Sequence, residues 1–406
     1  MTSSQIAWIL YDLANSAYAL IVRTVFAPLY IKFCADGVIS SGDSTSYWGM
    51  IASISGIVAG TLSILLGHLC DRRSCRKKVL AFFVAVGILS TWGFALCGKG
   101  DVYTVLAMAF ISLGCYLCAN SLYDSLLVSV SEPEQRDKLS VMSYALGYIG
   151  GVVPFIGCLV TMFLMSDKNL ATRIAFVVAG LWWMLLSLPL FFRVREKRME
   201  ITENSGNFWK DALEVWNNKN VRLFLISYFL YIDGVGTIYL MATPIAIDIG
   251  IGEVALMATI LGLQFYAFPC TLLYGKLAKR FGAVNMVKVA IVCYIIASIT
   301  VGCLPFVDSS GVKLILFVVL AMIIGSSQGG IQSLSRSLYS RIIPPEKAAQ
   351  YFGFYNLFGK FTTIVGPVLV FLTVKFFNSS EFGILAMAIP FVIGGTLLSR
   401  VVFPGK

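Results

Sequence analysis

Long apolar segments are the feature of this sequence that most restricts its fold. A helix needs about 20 mostly apolar residues to cross the hydrocarbon of a bilayer, and only helices and closed barrels satisfy all of their backbone hydrogen bonds there. The chain has twelve such segments; 58% of its residues are hydrophobic and 13% are charged. Soluble domains carry about 25% charged residues, so the sequence predicts an all-α integral membrane protein with twelve transmembrane helices. The predicted helices cover residues 6–31, 45–69, 78–97, 102–130, 139–165, 171–192, 222–247, 253–275, 284–306, 313–340, 351–377 and 382–403.

A polar stretch at 193–221 divides the twelve segments into two sets of six. We therefore predict an N-terminal six-helix bundle at 1–192 and a C-terminal six-helix bundle at 222–406, joined by a cytoplasmic linker. After Asn207, a candidate N-cap, the linker places Phe208 and Trp216 on one side of a helix and charged residues elsewhere. This pattern predicts a short amphipathic helix on the inner surface of the membrane.

Basic residues determine the predicted orientation, because Lys and Arg beside membrane spans stay on the cytoplasmic side. When both termini are placed in the cytoplasm, 22 of the 31 Lys and Arg residues lie on the inner side. Topology and attraction to anionic lipid thus account for the net charge of +10, which gives no indication of nucleic-acid binding. We expect a multi-pass protein of the inner (plasma) membrane if the source is bacterial.

Two copies of one pattern lie 212 residues apart, and Asp124 and Arg336 occupy the same place in them. In each copy an apolar run carries an amide and, four residues later, a charge; a Pro-Glu loop and a second apolar run marked by Gly follow. The sequence therefore predicts two related halves that differ in the sign of one charge. We expect Asp124 and Arg336 to attract each other across the cytoplasmic entrance as a gate; pairing within one bundle is the alternative. The other equivalent pairs are Asn120 and Gln332, Pro133 and Pro345, Glu134 and Glu346, and Gly147 and Gly359.

A Gly-x-Leu-x-Asp-Arg pattern at 67–72 runs into a basic cluster that ends at Lys78. It resembles the signature loop of the major facilitator superfamily, although Ser74 stands where that motif has Gly and Cys75 where it has a basic residue. A degenerate copy recurs 208 residues later, at 275–282. The resemblance implies that this loop holds the cytoplasmic side closed, with a carboxylate as hydrogen-bond acceptor. A solvated basic loop that only fixes topology is the alternative. The matching residues are Gly67, Asp71, Arg72 and Arg76.

Five further stretches sample both halves of the chain: YDLANSAY at 11–18, ALGYIGG at 145–151, DGVGT at 233–237, QGGIQSLSRS at 328–337, and the segment 344–361 with FGFYN and GKF. Together they resemble the bacterial relatives of the fungal vacuolar amino-acid effluxer of autophagy. The resemblance implies two six-helix bundles in the major facilitator fold, related as parallel pseudo-repeats, with substrate at the midplane between them and alternating access. It also implies a small solute, with amino acids as the leading candidates.

Charged residues inside the predicted helices are candidates for function, since a charge at the bilayer centre costs about 2.5–3.5 kcal/mol on insertion scales. Helical spacing places them, with neighbouring polar residues, on stripes of several helices. In the resembled fold the first, fourth, seventh and tenth helices line the central cavity. A fixed structural pair between helices is the alternative for any single charge. We expect substrate binding or coupling at Asp12, Asn15, Arg23, Asn120, Asp233, Thr237, Gln328, Gln332, Asn356 and Lys360, and gating at Asp124, Arg336, Gly67, Asp71, Arg72 and Arg76.

These observations predict a secondary active transporter that moves a small polar or zwitterionic solute, an amino acid or a related metabolite, with export as the expected direction. Asp12 and Asp233 are the candidates for proton coupling, because a carboxylate in a partly dry cavity can take up a proton near neutral pH. The alternatives are a transporter-like receptor or scaffold without turnover, and an exporter of a larger compound. The chain has one His and no Walker-type loop, so we expect neither an enzyme nor an ATP-driven pump. We expect a monomer in contact with membrane lipid, without metal or cofactor.

Overall fold

The chain is helical through most of the part described by the computed structural model, which covers residues 1–39, 41–196, 208–248, 253–303, 306–307, 309–359 and 384–403. The predicted all-α class is confirmed. The helices are α1, Ser3–Ala17; α2, Ala27–Ala35; α3, Ser41–Arg73; α4, Arg76–Gly93; α5, Val102–Ser125; α6, Leu127–Val130; α7, Arg136–Leu164; α8, Lys168–Arg193; α9, Phe208–Asn217; α10, Lys219–Asp248; α11, Glu253–Phe281; α12, Ala283–Cys303; α13, Ser310–Ile342; α14, 348–359; and α15, Ala388–Leu398.

Nine helical segments of the described part are long and apolar enough to cross a membrane. They coincide with the first seven, the ninth and the tenth predicted helices, and all but one of their ends lie within six residues of the predicted ends. The seventh apolar segment ends at Ile238, although its helix, α10, continues to Asp248, next to the predicted end at 247. The eighth predicted helix, 253–275, is part of the longer helix α11. The eleventh and twelfth, 351–377 and 382–403, extend beyond the described residues.

The first membrane helix changes its hydrogen-bonding pattern midway. Between α1 and α2, the segment Tyr18–Phe26 is a π-helix. Because i→i+5 bonding widens each turn, residues beyond α1 no longer follow the spacing of 3.6 residues per turn. The predicted stripe through Asp12, Asn15 and Arg23 therefore applies to the first two residues only, which corrects the α-helical placement of Arg23.

The predicted signature loop at 67–78 is also largely helical. Helix α3 continues to Arg73 and α4 begins at Arg76, so that only Ser74 and Cys75 lie between them. Ser74 has a φ of 48°, and Gly282, the equivalent residue of the second copy, has a φ of 86°. Helices commonly end at a left-handed residue, usually Gly. The motif thus closes a helix in a tight turn, where an open loop was expected.

Tertiary contacts divide the chain into two compact units. Unit 1 comprises Met1–Glu132, Leu146–Thr202 and Pro344–Leu357, and unit 2 comprises Pro133–Ala145, Glu203–Ile343 and Phe358–Lys406. Each unit thus consists mainly of one half of the sequence and receives one short segment from the other half. The predicted domain boundaries at 192 and 222 stay a prediction. The two units differ from it in that each also includes a short segment of the other half.

The two exchanged segments are the same element of the repeat. At the offset of 212, Pro133 corresponds to Pro345 and Ala145 corresponds to Leu357. Each segment begins with a short 3-10 turn, Pro133–Gln135 in one copy and Pro345–Lys347 in the other, and each continues into a helix, α7 or α14. The repeat found in the sequence is therefore also a repeat of tertiary contacts.

Helix α9 occupies part of the predicted linker. Its Trp216 stacks on Phe358, with 6.1 Å between ring centroids, and Arg222 lies over the same indole ring. Leu213, in contrast, is 62% exposed. One side of the C-terminal end of α9 thus packs within unit 2 while another side stays uncovered.

Candidate functional site

A polar cluster joins α1 and α5 inside unit 1. The side-chain amide of Asn15 donates to the side-chain oxygen of Asn120 at 2.9 Å. Asn15 is buried, and Asn120 and Asp12 are half-buried. Since Asp12 lies three residues before Asn15 on the same helix, their side chains share a face. The structure thus brings Asn15 to Asn120, and Asp12 lies about one turn before Asn15 on the same face of α1.

Arg23 lies in the π-helical segment and is exposed. The hydroxyl groups of Tyr18 and Tyr116 lie within electrostatic range of its guanidinium. The Tyr116 hydroxyl is also within range of the carboxylates of Asp12 and Asp124. The Tyr116 hydroxyl is therefore near charged groups of both signs.

Aromatic rings lie around this cluster, and among them Tyr116 was expected on the same stripe of the fourth helix as Asn120 and Asp124. Tyr18 stacks on Tyr116 at 4.7 Å and lies 5.1 Å from Trp183 of α8, between ring centroids. Trp8 stacks on Tyr123 at 4.6 Å. Trp8, Tyr123 and Trp183 were not predicted as part of the site, because aromatic residues at helical spacing usually pack a core.

In unit 2, Asp233 and Thr237 of α10 are buried, with exposed fractions of 2% and 1%. The Thr237 hydroxyl has no hydrogen-bond partner among the residues that the structure describes. Two positions before Asp233, the Tyr231 hydroxyl shares a 2.7 Å hydrogen bond with Ser335 and so joins α10 to α13. The other binding candidates predicted for the C-terminal half are Gln328 and Gln332, which are half-buried on α13, Asn356, which lies in the segment exchanged into unit 1, and Lys360, which lies outside the described residues.

Asp71 caps the helix of the segment exchanged into unit 1. Its carboxylate accepts from the backbone N–H groups of Ala349 at 3.1 Å and Gln350 at 2.9 Å. These groups belong to the first turn of α14, where N–H groups lack partners inside their own helix. The positive end of the helix dipole also favours a carboxylate at this place.

Arg76 binds the same carboxylate and the same exchanged segment. Its Nε donates to Asp71 Oδ1 at 2.8 Å, and its Nη2 lies 2.6 Å from that oxygen. Nη2 also donates to the carbonyl oxygens of Pro345 and Glu346, each at 3.2 Å. Both charged side chains are buried, whereas Arg72, predicted to act with them, is exposed. We call Asp71, Arg76 and the segment 345–350 the acidic latch.

A glycine makes room for the exchanged segment in each unit. A Cβ atom on Gly67 would lie 2.5 Å from the carbonyl oxygen of Ala349, and one on Gly275 would lie 2.6 Å from Cγ1 of Val141. The two glycines occupy the same position in the two motif copies. Gly275 was not predicted as a site residue, although the degenerate motif copy was a signal for it.

Arg336 is buried in unit 2 against the beginning of α7. Its Nε donates to Ser140 Oγ at 2.9 Å, and its Nη2 donates to the Ser140 carbonyl oxygen and to Ser143 Oγ, each at 3.3 Å. The guanidinium carbon lies 4.4 Å from the centre of the Tyr144 ring, in the range of a cation–π interaction. We call Arg336, Ser140, Ser143 and Tyr144 the basic latch.

An ionic contact beside the basic latch was missed in the sequence. Asp137 accepts a 2.5 Å hydrogen bond from the Ser337 hydroxyl and pairs with Arg341 at 2.5 Å. Arg136 donates to the Ser340 carbonyl oxygen at 2.5 Å. Charged residues at the start of a helix are normally solvated, so nothing in the sequence distinguished Asp137 from a surface charge.

The charges that mark the repeat make equivalent contacts in their own units. In unit 1, the Asn356 amide donates to Asp124 Oδ2 at 3.3 Å; in unit 2, Arg336 lies over Tyr144. At the offset of 212, Asn356 is the counterpart of Tyr144, just as Arg336 is the counterpart of Asp124. The predicted attraction between Asp124 and Arg336 stays a prediction.

Known proteins resemble this chain along its whole length. The family model described as "Vacuole effluxer Atg22 like" matches residues 2–130 and 128–403. An uncharacterized MFS-type transporter, YxiO of Bacillus subtilis (strain 168), is 34% identical over 413 residues, which cover 98% of this chain and 95% of the relative. Autophagy-related protein 22 of Kluyveromyces lactis is 24% identical over 383 residues, covering 79% of this chain and 70% of the relative.

Solved structures show the same fold at low sequence identity. The proton:xylose symporter XylE aligns with a TM-score of 0.74 and 15% identity, covering 98% of this chain and 95% of that chain. The human organic anion transporter MFSD10 aligns with a TM-score of 0.73 and 14% identity, covering 98% of each chain. The predicted major facilitator fold is thereby confirmed. The chain belongs to the vacuole effluxer Atg22-like family of major facilitator superfamily transporters, and it is a multi-pass membrane protein and not an enzyme.

Proposed function

We propose that this transporter exports a small zwitterionic solute, an amino acid or a related metabolite, by alternating access coupled to protons. The observation that carries the proposal is the polar cluster of unit 1. Asn15 of this cluster is hydrogen-bonded to Asn120 of α5, and along the first membrane helix it lies between an acidic residue, Asp12, and a basic one, Arg23. The description of the family as effluxers supports export.

The chemistry of this cluster suits a zwitterion. A carboxylate such as that of Asp12 can bind an ammonium group, and a guanidinium such as that of Arg23 can bind a carboxylate through paired hydrogen bonds. The amides of Asn15 and Asn120 supply both donors and acceptors. Stacked Tyr18 and Tyr116 rings offer apolar surface beside these polar groups, which favours an amino acid with an apolar or aromatic side chain.

The two latches supply the gating that alternating access requires. We assign closure of the cytoplasmic side to the acidic latch in unit 1 and to the basic latch in unit 2, because both lie where the sequence predicts the inner ends of the helices. Opening to the cytoplasm would then release α14 from Asp71 and the start of α7 from Arg336. This assignment includes an inner membrane location, with both termini in the cytoplasm, and a monomeric transporter.

A ligand screen tests the substrate class. Purified protein in detergent is heated with amino acids, nucleosides, sugars or organic acids, since a ligand of the native state raises the unfolding midpoint. We expect an amino acid to raise the midpoint for the natural protein and to lose this effect with Asp12→Asn. Asp36→Asn is the matched control: Asp36 is exposed, and its ion pair with Lys99 at 2.7 Å holds the pKa of its carboxyl below the usual value. A response to sugars alone would contradict the proposal.

Flux in proteoliposomes tests proton coupling with the solute found in the screen. We expect an imposed pH gradient to drive accumulation by the natural protein and by Asp36→Asn, but not by Asp12→Asn or Asp233→Asn. Asp233→Asn should still exchange labelled for unlabelled solute if its carboxylate serves coupling alone, whereas Asp12→Asn, which is expected to lose solute binding, should lose exchange as well. Accumulation that ignores the pH gradient in the natural protein and in all variants would refute proton coupling.

A further inference from the structure

The turn that ends α3 places two cysteine side chains against each other. The Cys75 N–H donates to the Cys70 carbonyl oxygen at 3.2 Å, and Ser74 has a left-handed φ of 48°. A hydrogen bond from the sixth residue to the first, over a left-handed fifth residue, defines the Schellman motif. Side chains of its first and sixth residues frequently contact each other. Here those residues are Cys70 and Cys75, and their thiols interact.

The two thiols differ in access and are particular to the first motif copy. Cys70 is fully buried, whereas Cys75 is half-buried and can be reached from solvent. The second copy ends its helix at Gly282 and has Ala278 and Ala283 at the equivalent positions. There the Gly282 N–H donates to the Ala278 carbonyl oxygen at 2.9 Å, so a left-handed residue ends the helix at this place of the motif without thiols. This difference points to a separate chemical role for the pair.

We propose that Cys70 and Cys75 form a reversible disulfide, with a small disulfide such as glutathione disulfide as the oxidant. The Cys75 thiolate attacks the small disulfide, forms a mixed disulfide and releases one thiol. The Cys70 thiolate then attacks the Cys75 sulfur and releases the second thiol. The two cysteine protons end on the released thiols, and two electrons pass to the small disulfide. A dithiol on the predicted cytoplasmic side would be reduced under ordinary conditions and oxidised transiently.

The disulfide would hold the acidic latch closed. Asp71 directly follows Cys70 and Arg76 directly follows Cys75, so a covalent bond between the cysteines fixes the turn that presents both charges to α14. Oxidation thereby slows release of α14, and reduction restores it. This regulatory step rests on the proposed gating by the acidic latch, whereas formation of the disulfide does not.

The first measurement concerns the disulfide itself. The full-length protein is equilibrated in glutathione buffers of increasing oxidised fraction, trapped with an alkylating reagent and mapped by mass spectrometry. We expect Cys70 and Cys75 to lose two hydrogen atoms together, while Cys115 and Cys118 on α5 stay alkylated as free thiols. Two free thiols in the most oxidising buffer, or a persistent mixed disulfide at Cys75, would overturn the proposal.

The second measurement concerns the latch and needs no substrate. Hydrogen exchange of the Ala349 and Gln350 amides reports release of α14, because these groups donate to Asp71. We expect exchange to be about tenfold slower in the oxidised protein than in the reduced one, as for a cross-link that restricts a short turn. Cys75→Ser and the paired variant Cys70→Ala with Cys75→Ala should show no such dependence on the buffer. Equal or faster exchange after oxidation would refute the lock, even if the disulfide forms.

Discussion

Asp71 and Arg76 are buried charges, and each depends on the other and on backbone groups distant in sequence. Their side chains are 4% and 8% exposed. Asp71 accepts from the first turn of α14, and Arg76 donates to the carbonyl oxygens just before it. Burying a charge is costly unless it is paired and hydrogen-bonded. The ion pair therefore holds the start of α14 against the end of α3 and the start of α4, in addition to joining Asp71 to Arg76.

A double-mutant cycle measures this dependence. Asp71→Asn should destabilise the protein by about 3 kcal/mol, because it leaves the Arg76 guanidinium buried without a counter-charge. Arg76→Gln should have a similar effect, but the combined variant should lose clearly less than the sum of the two. The measurement is the thermal unfolding midpoint in detergent, with the free-energy change taken at the midpoint.

The matched control for this cycle is the exposed pair Asp36 and Lys99, whose side chains are 63% and 61% exposed. Solvent screens such a pair, so Asp36→Asn and Lys99→Gln should act independently and weakly. Additive effects for Asp71 and Arg76 would mean that the two residues stabilise the protein independently, which would refute their mutual dependence.

Some of these residues were predictable from the sequence, and others were not. Asp71 was predicted because it lies in a recognisable motif, and Asn15 because a polar residue in an apolar helix needs a partner. Asp137 and Ser140 were not predicted, since a charge at a helix start and a small hydroxyl in an apolar run both have ordinary explanations. Their roles depend on which distant segment packs on them, which hydropathy does not reveal.

Close helix packing in each unit depends on the absence of one side chain. At Gly67 the exchanged α14 presents backbone atoms 2.5 Å to 2.7 Å from the place that a Cβ atom would take, whereas at Gly275 the nearest atoms belong to the Val141 side chain. Backbone atoms of a helix cannot move without shifting the whole helix, but a side chain can be replaced. The two glycines serve the same purpose, but only at Gly275 can a second substitution, at the opposing side chain, relieve the contact.

Alanine substitutions separate the two cases. Gly67→Ala should destabilise the protein by about 2 kcal/mol through overpacking and should speed hydrogen exchange at the start of α14. Gly275→Ala should cost a similar amount, and Val141→Ala should recover part of it by removing the opposing methyl groups. Thermal unfolding in detergent gives the ranking.

Gly114→Ala is the control for these variants. Gly114 lies inside α5 with nothing within 4 Å of a Cβ position, so alanine should stabilise the protein by about 0.5–1 kcal/mol through helix propensity. If Gly67→Ala behaved like Gly114→Ala, close approach of α14 to α3 would not describe the protein in solution.

Helices were more predictable than their irregularities. The length of an apolar segment is a local property of the sequence, so most of the predicted ends of the membrane helices lie within a few residues of the observed ends. The π-helical turn at Tyr18–Phe26 was not predicted, because the residues of this segment are ordinary apolar residues for a membrane helix. As a result, the relation of Arg23 to the polar stripe of α1 could not be deduced from α-helical spacing.

The whole molecule repeats its contacts as well as its sequence. Each unit contains one segment from the other half of the sequence, which starts at the Pro-Glu turn. In each unit this segment contacts the charged residue that marks the repeat, Asp124 in unit 1 and Arg336 in unit 2. The sequence predicted the repeat, since it appears as matched residues at one offset. It did not predict the exchange, because an exchange of segments is a property of tertiary contacts. The repeat nevertheless implies that partners at equivalent positions are interchangeable.

Exchanging the partners together with the charges tests this implication. The variant with Asp124→Arg and Asn356→Tyr in unit 1, and Arg336→Asp and Tyr144→Asn in unit 2, should restore both contacts with the units interchanged. Exchanging only the two charges places a carboxylate against the face of the Tyr144 ring, which repels an anion, and forfeits a cation–π interaction of about 1–2 kcal/mol. We therefore expect a higher unfolding midpoint for the four-residue exchange than for Asp124→Arg with Arg336→Asp. The paired variant Tyr144→Asn with Asn356→Tyr, which keeps the natural charges, is the control and should also be less stable than the natural protein. A four-residue variant no more stable than the charge exchange would show that surrounding groups in each unit, and not these partners, determine which sign of charge is accepted.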